Sequence, residues 1–329
     1  RRSGLESHDR HQFMTTVIGG GAAASAESSV PSSARPPLAR PTQHRSKRSG
    51  GLAALGLAPF AVYIIIFLAV PTVLAIGTGF FDGDGNLTWE NLAALGEPLI
   101  VQTFINSIHL SLVTAILGAV IGALVCWAVL GLREHSRIRG GIDAASSVLA
   151  QFGGVMLAFA FIATIGINGV ITQILKNTFG IDIFADGAWI YSFPGLFLPY
   201  VYFQVPLMII TFMPALTALR PQWMEANATL GGTIPGFWLR IAAPILAPSF
   251  LASLLLLFAN AFSSYATAAA LASQGAQIVP LQIRAALTSE TVLGRENLAG
   301  ALALGMIVIM AVVMGAYALV QRRAARWQS

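Results

Sequence analysis

Residues 221 to 244, PQWMEANATLGGTIPGFWLRIAAP, decide how this chain is read. They form the only long polar-containing interruption in the C-terminal half, and on both sides lie apolar runs long enough to cross a bilayer. Pro221 suits a first helical position, and Trp223, Met224, Glu225, Ala226 and Ala228 can all follow it in helical conformation. Gly231 and Gly232 then stop the helix, because glycine takes the left-handed conformation that closes a helix without steric cost. A second turn leads to Pro244, which reads as a break before the next apolar run. Small side chains at 226 and 228 leave a low ridge, with Trp223, Met224 and Phe237 as apolar contacts beside it. The predicted shape is a knuckle that docks into a groove of another protein.

Hydrophobic residues make up 56% of the 329 and charged residues 10%, against roughly 25% charged in a soluble domain. Such a chain cannot cover a water-facing surface, so one polytopic membrane domain behind a polar tail is expected. The net charge of +5 does not point to nucleic acid, because Arg and Lys cluster at the N-terminus and in particular loops without aromatic interleaving. Cys126 is the single cysteine, which excludes an internal disulfide and a cysteine-based zinc site.

Residues 1–48 read as a disordered basic tail, rich in Ser, Ala, Pro and Arg and without apolar periodicity. Met14 reads as a start, and residues 1–13 are set aside as upstream sequence. Six apolar segments follow, near 52–78, 104–131, 144–166, 190–216, 246–272 and 297–320, each of the length a spanning helix needs. The fold class is therefore all-α, a polytopic membrane protein with six transmembrane helices, its membrane domain covering 49–322. LTWENLAAL, 87–95, reads as a short helix outside the spans with Thr88 as N-cap.

Charges alternate between the connections. Asp82, Asp84, Glu90 and Glu97 stand in 79–103 with no Lys or Arg, whereas Arg133, Arg137 and Arg139 stand in 132–143. Arg220 and Arg240 lie in 217–245, and Arg322, Arg323 and Arg326 follow the last span. By the positive-inside rule both termini and the 217–245 loop are expected on the cytoplasmic side, with 323–329 a short basic tail there.

The loop also resembles a known family. Glu225, Ala226, Gly231, Ile241 and Pro244 stand at the spacing of the EAA loop of ATP-binding-cassette (ABC) importer permeases, with Asn227 in place of the second Ala and Ala243 where Leu is common. FINSIHLSLVTAILGAVIGALVCWAV, 104–129, is similar to the second core helix of these permeases, and VPLMIITFMPALTALRPQWMEAN, 205–227, to the approach to the loop. The resemblance covers most of residues 52–322 and implies a type I importer fold in a bacterial cell membrane. It further implies that the loop is a coupling helix seated in a cytoplasmic ABC ATPase. Trp223, Met224, Glu225, Ala226, Asn227, Ala228, Gly231, Ile241 and Pro244 would then be the coupling residues. Glu225 would fix the loop or pair with the ATPase, Ala226 and Ala228 would allow close approach, and Gly231 would make the turn. The implied partners are cytoplasmic ATPase subunits, a second and related permease, an extracytoplasmic solute-binding protein and membrane lipid. Within the family, LTWENL and FSSYATAAAL before IVPLQI are most similar to the polyamine, ferric-iron and phosphonate group. Spermidine or putrescine is the expected cargo, and a sugar importer is the alternative.

No catalytic constellation is present. A Walker A loop needs Gly-Lys-Ser or Gly-Lys-Thr, but Lys47 precedes Arg48 and Lys176 precedes Asn177, so ATP hydrolysis falls to another subunit. The zincin helix and nucleophile elbow are also absent; no metal or cofactor is expected. The six expected spans hold no Asp, Glu, Lys or Arg, whereas an ion-coupled carrier usually needs one near the midplane. A sodium-coupled carrier or channel with carbonyl and hydroxyl ligands stays open as the reading from another class. The candidate translocation pathway is polar and uncharged: His109, then Tyr200 and Gln204 in the fourth span, then Asn260, Ser264 and Thr267 at i, i+4 and i+7 in the fifth. The same residues equally suit interhelical hydrogen bonding with no solute. Gly118 and Gly122 read as a packing pair.

Overall fold

The computed structural model describes residues 50–132, 136–272, 277–288 and 297–325. The expected disordered tail, the charges of 133–135 and 289–296, and the last residues 326–329 lie outside them. The chain divides into two compact units. Of Arg1–Gly56 only the first turns of one helix are described, and Leu57–Ser329 holds everything else.

Every regular element among the described residues is helical. In chain order they are α1 (Gly50–Ile64), α2 (Val70–Thr78), α3 (Glu90–Ala93), α4 (Pro98–Leu130), α5 (Arg137–Gln151), α6 (Gly154–Ile165) and α7 (Val170–Phe179), then α8 (Phe197–Thr217), α9 (Pro221–Thr229), α10 (Ile234–Phe237), α11 (Ala243–Ser263), α12 (Ala266–Leu271), α13 (Val279–Thr288) and α14 (Leu298–Ala325). Six helical runs among them are long and apolar enough to cross a membrane: Gly56–Thr78, Pro98–Leu130, Gly154–Phe179, Phe193–Thr217, Ile234–Ser263 and Leu298–Leu319. The fold class expected from the sequence is the one observed.

The third and fifth spans differ most from expectation, each at both ends. The third apolar run was expected at 144–166, but its first residues belong to α5. Phe152 and Gly153 are not helical and Gly154 has φ +68°, a conformation glycine adopts without steric cost, so the spanning segment starts there and reaches Phe179. The fifth span starts earlier, at Ile234, and takes in Arg240, as the third takes in Lys176 near its end. It also ends earlier. Ser264 turns to an extended ψ of 108°, and α12 restarts only at Ala266.

Pro244 does not break the helix. A π-helical turn, Trp238–Ala242, precedes it, and the Ala243 N–H bonds back to the Trp238 carbonyl. The first span repeats the device: the π turn Ile65–Ala69 is closed by Val70 N–H on the Ile65 carbonyl, with Pro71 next. In both, the wider turn takes up the ring and the missing N–H of proline, and the helix continues.

α4 runs through the middle of the bundle and packs mainly on α8 and α11. Its glycines set how close. A Cβ on Gly118 would overlap that of Gln204, and one on Gly122 would lie 2.6 Å from the Met208 Cβ, so the pair lets α4 and α8 backbones meet, as the spacing predicts. Ala115, Ala119, Cys126, Met208, Phe212 and Leu257 are buried around this crossing. α2 meets α14 in the same way, where a Cβ on Gly79 would lie 2.6 Å from the Ala301 nitrogen. The rest of the first span is exposed along its length, with Phe60 63% and Phe67 67% accessible, as suits a helix bathed in lipid.

At the other end of the bundle from the 217–245 loop, Phe81 and Leu87 pair across a tight hairpin. Asn91 Nδ2 donates to the Phe81 carbonyl at 2.9 Å, and Asn297 Nδ2 to the Asp82 carbonyl at 2.9 Å. The Asp82 carboxylate accepts the Asn86 N–H at 2.7 Å, and that bond, ahead of the others it accepts, holds its pKa below the usual value. The Thr88 hydroxyl accepts the Glu90 N–H at 3.2 Å, but Thr88 is not the expected N-cap: the helix is shorter, Trp89 stands at the cap position and its side chain makes no capping bond.

Candidate functional site

The loop around Glu225 is built by chain-local hydrogen bonds. Arg220 is extended, and Pro221, with no N–H to leave unpaired, opens α9. At the other end Leu230 is the last residue before Gly231, which has φ +78°. Gly231 N–H bonds to the Ala228 carbonyl at 3.0 Å and Gly232 N–H to the Asn227 carbonyl at 2.8 Å. These two bonds are the Schellman closure of a helix end. The Thr229 hydroxyl satisfies the Ala226 carbonyl at 2.9 Å, so the last turn leaves few open acceptors.

Asn227 does more than stay small. Its Nδ2 donates across the turn to the Thr233 carbonyl at 3.3 Å, while the Thr233 hydroxyl accepts Gly236 N–H at 3.2 Å and caps α10. An alanine there would leave the two short helices joined by backbone alone. Gly232 makes room for this side chain, since a Cβ at 232 would overlap the Asn227 amide. Gly232→Ala is therefore expected to displace Asn227 and cost about 0.5–1.5 kcal/mol, and to be nearly neutral in an Asn227→Ala background. Thermal unfolding of the four proteins measures that coupling; equal costs in both backgrounds would contradict it.

Beyond α10 the loop is anchored. Phe237 is 3% exposed and Ala242 fully buried, with Ile241 packed on the core. Phe237 was expected beside the docking ridge and instead fixes the loop to the bundle. Pro244 sits where the anchored segment becomes α11. None of α9 is buried: Trp223 and Met224 are exposed, Glu225, Ala226 and Ala228 lie with them at the surface, and Glu225 has no side-chain hydrogen bond among the described residues. Leu230, Ile234 and Leu239 are 88%, 67% and 74% exposed. They are not among the residues expected at the contact, although apolar residues in a polar connection with nothing to bury them are the signal of a contact surface.

The polar residues of the spans separate into two groups. Tyr200 and Gln204 are fully buried between helices. Tyr200 OH donates to the Ser264 carbonyl at 2.7 Å, which the end of α11 has freed, and Gln204 Nε2 donates to the Leu257 carbonyl at 3.0 Å. Gln204 Oε1 and the hydroxyl of buried Thr267 have no hydrogen-bond partner among the described residues. Because the helix breaks at Ser264, Asn260 and Thr267 do not share one helical face; Asn260 is exposed and Thr267 is not. His109 is exposed on α4, with Phe193 stacked at 6.4 Å and Phe197 edge-on at 5.7 Å. Among the described residues no group of three His, Cys, Asp or Glu is placed to hold a metal.

No family model matches the sequence. Three curated relatives are permease proteins. The ferric transport system permease of Actinobacillus pleuropneumoniae is 25% identical over 202 residues, 61% of this chain and 29% of the relative. The trehalose transport permease of Mycobacterium tuberculosis is 27% identical over 240 residues, 72% of this chain and 78% of the relative. The spermidine/putrescine transport permease of Haemophilus influenzae is 24% identical over 265 residues, 78% and 89%. The chain thus spans about three tenths of the length of the ferric relatives. Its fold is shared with a chain of a bacterial ABC transporter that imports the polysaccharide alginate, at TM-score 0.67, 15% identity, 85% of this chain and 96% of that one. A chain of the methionine ABC transporter in inward-facing form matches at TM-score 0.50, covering 69% and 96%. These relatives are permease proteins of transport systems, and the chain is a multi-pass membrane protein with the fold of the alginate transporter chain.

Proposed function

We propose that this chain, whose homologues are permease proteins of ABC transport systems, is the transmembrane subunit of an ATP-driven importer and is moved through the loop 217–245. The carrying observation is that α9, with no buried residue, is hydrogen-bonded to α10 and projects from the bundle, anchored at one end by Phe237 and the helix through Pro244. A body of that kind transmits a push without bending. Both termini and the loop face the cytoplasm in this reading, where a separate ATPase receives Trp223, Met224, Leu230 and the ridge of Ala226 and Ala228, with Glu225 as its charged contact. A related permease completes the passage, and an extracytoplasmic binding protein delivers solute to the hairpin end.

The cargo we assign is a small polyamine, supported by the relative that the chain matches over most of both lengths. A sugar is the second reading, favoured by the trehalose relative, also matched over most of both lengths. Purification of the full chain from its native membrane is expected to bring down a Walker-type ATPase. Vesicles holding that assembly with its binding protein accumulate spermidine only with ATP inside the ATPase compartment. Trehalose uptake instead would move the cargo to the sugar class, and solute movement by the chain alone would overturn the reading.

A further inference from the structure

An apolar groove of about 450 Å³ opens on the flank of the bundle, at the end that carries the 217–245 loop. Its walls come from α4, α8, the π turn and α11, and alanines at 123, 243 and 247 leave the space between larger neighbours. Phe212 and Phe250 meet edge to face at 5.7 Å within it, and Trp127 and Trp238 do so at 6.3 Å. Trp127, Ala243, Ala247 and Leu251 are all exposed, so the groove opens sideways out of the protein. An apolar space of this kind does not hold water.

Its size decides between occupants. A helix with side chains is about 10 Å across and rises about 5.4 Å per turn, so this volume would take roughly one turn of it. A partner helix would need a furrow several turns long, whereas a single hydrocarbon chain fills the space along its length. Charge sets the other end of the ligand. The described charged residues near this end of the bundle are Arg137, Arg139, Arg220, Arg240 and Arg322 against Asp143 and Glu225, a basic excess that favours an anionic headgroup. Tryptophans prefer the headgroup level, and the exposed Arg240, two residues along the chain from Trp238, carries a side chain long enough to reach the interface.

We propose that this groove is a site for an anionic phospholipid, with one acyl chain lying against Ala123, Ala243 and Ala247 and the phosphate at the rim near Trp238 and Arg240. The site stands whatever the transported solute. By bridging α4 and α8 to the π turn, the bound chain also props the segment from which the loop is anchored.

The full chain is reconstituted in nanodiscs of phosphatidylethanolamine with a trace of phosphatidylglycerol carrying a diazirine on its acyl chain, and the labelled peptides are identified by mass spectrometry. Label is expected to concentrate on 123–127 and 238–251 over the equally apolar first span around Phe60 and Phe67. Ala247→Phe and Ala243→Phe, which fill the groove from its open side, are each expected to lower groove labelling roughly tenfold, the effect of removing two methylenes from burial, with the unfolding temperature as the check on folding. Arg240→Gln is expected to lower labelling by phosphatidylglycerol while leaving that by the same probe on phosphatidylcholine unchanged. Even label on all lipid-facing helices, unchanged label in both folded filling variants, or no preference between the two headgroups would overturn the proposal. Loss of groove label when a second permease joins the complex would do the same, making the groove a protein interface.

Discussion

Leucine at position 118 is expected to prevent the bundle from closing. A Cβ there overlaps Gln204 Cβ and lies 3.3 Å from the Gln204 carbonyl carbon, so even alanine needs a backbone shift, and three further carbons have no space. Overpacking usually costs about 1–3 kcal/mol, and here the obstacle is the Gln204 Cβ, which cannot move without the α8 backbone that carries it. The displaced Gln204 also loses its bond to the Leu257 carbonyl, which couples the damage to α11. We expect Gly118→Leu to be degraded or to unfold well below the unmodified protein, at a cost above about 3 kcal/mol. Gly77→Leu, in a helix where nothing lies within 4 Å of the added atom, is the matched control and should be tolerated. Equal unfolding temperatures for the two would show that α4 and α8 do not meet as described.

The second large effect is the opposite in kind. Around Gly231 there is open space, so a side chain meets nothing, but φ +78° is a region that β-branched residues avoid. Gly231→Val should therefore cost about 1–3 kcal/mol of local strain, released by undoing the closure on Ala228 and Asn227 and fraying α9. The protein stays folded in the membrane because Phe237 and the helix through Pro244 still anchor the segment. Uptake by the assembled transporter is expected to fall about 5- to 150-fold, the weight of about 1–3 kcal/mol, with the amount of permease in the membrane unchanged. Gly231→Asn should retain most uptake, since asparagine is the residue that best replaces glycine in this conformation. Full uptake by the valine variant would remove the loop from the coupling step.

The two glycines also show what a sequence discloses. Gly118 and Gly122 could be read as a packing pair because a four-residue spacing puts both on one face of a helix; which residues they face, Gln204 and Met208, was not legible, because the partner lies on another span. The six spans were legible as runs of apolar residues, and the positions that shifted are those where conformation depends on distant or cooperative contacts. The break after Ser263 depends on Tyr200, 64 residues away from the carbonyl it caps. The passage of the helix through Pro244 depends on a π turn, which no residue pattern announces. The end of α5 at Gln151 was readable in principle, since Phe-Gly-Gly at 152–154 interrupts the run, but hydropathy alone merged both sides.

For the loop, the residue pattern placed Pro221 and Gly231 at the points where a helix starts and turns, whereas Pro244, read as a break, lies inside a continuous helical run. Asn227 was read by size, and the bond to Thr233 by which it ties α9 to α10 became visible only when the turn brought the two within reach. Leu230, Ile234 and Leu239 were passed over because apolar residues are ordinarily assigned to a core. Their exposure is meaningful only once the loop is known to protrude.

The most direct test places one cysteine at Met224 in a protein whose Cys126 is replaced by serine, within the assembled transporter. The account predicts that a membrane-impermeant maleimide labels it in inverted vesicles and not in intact cells, and that a short bifunctional reagent links it to the ATPase. Labelling from outside intact cells, or no link to an ATPase that still supports uptake, would contradict it.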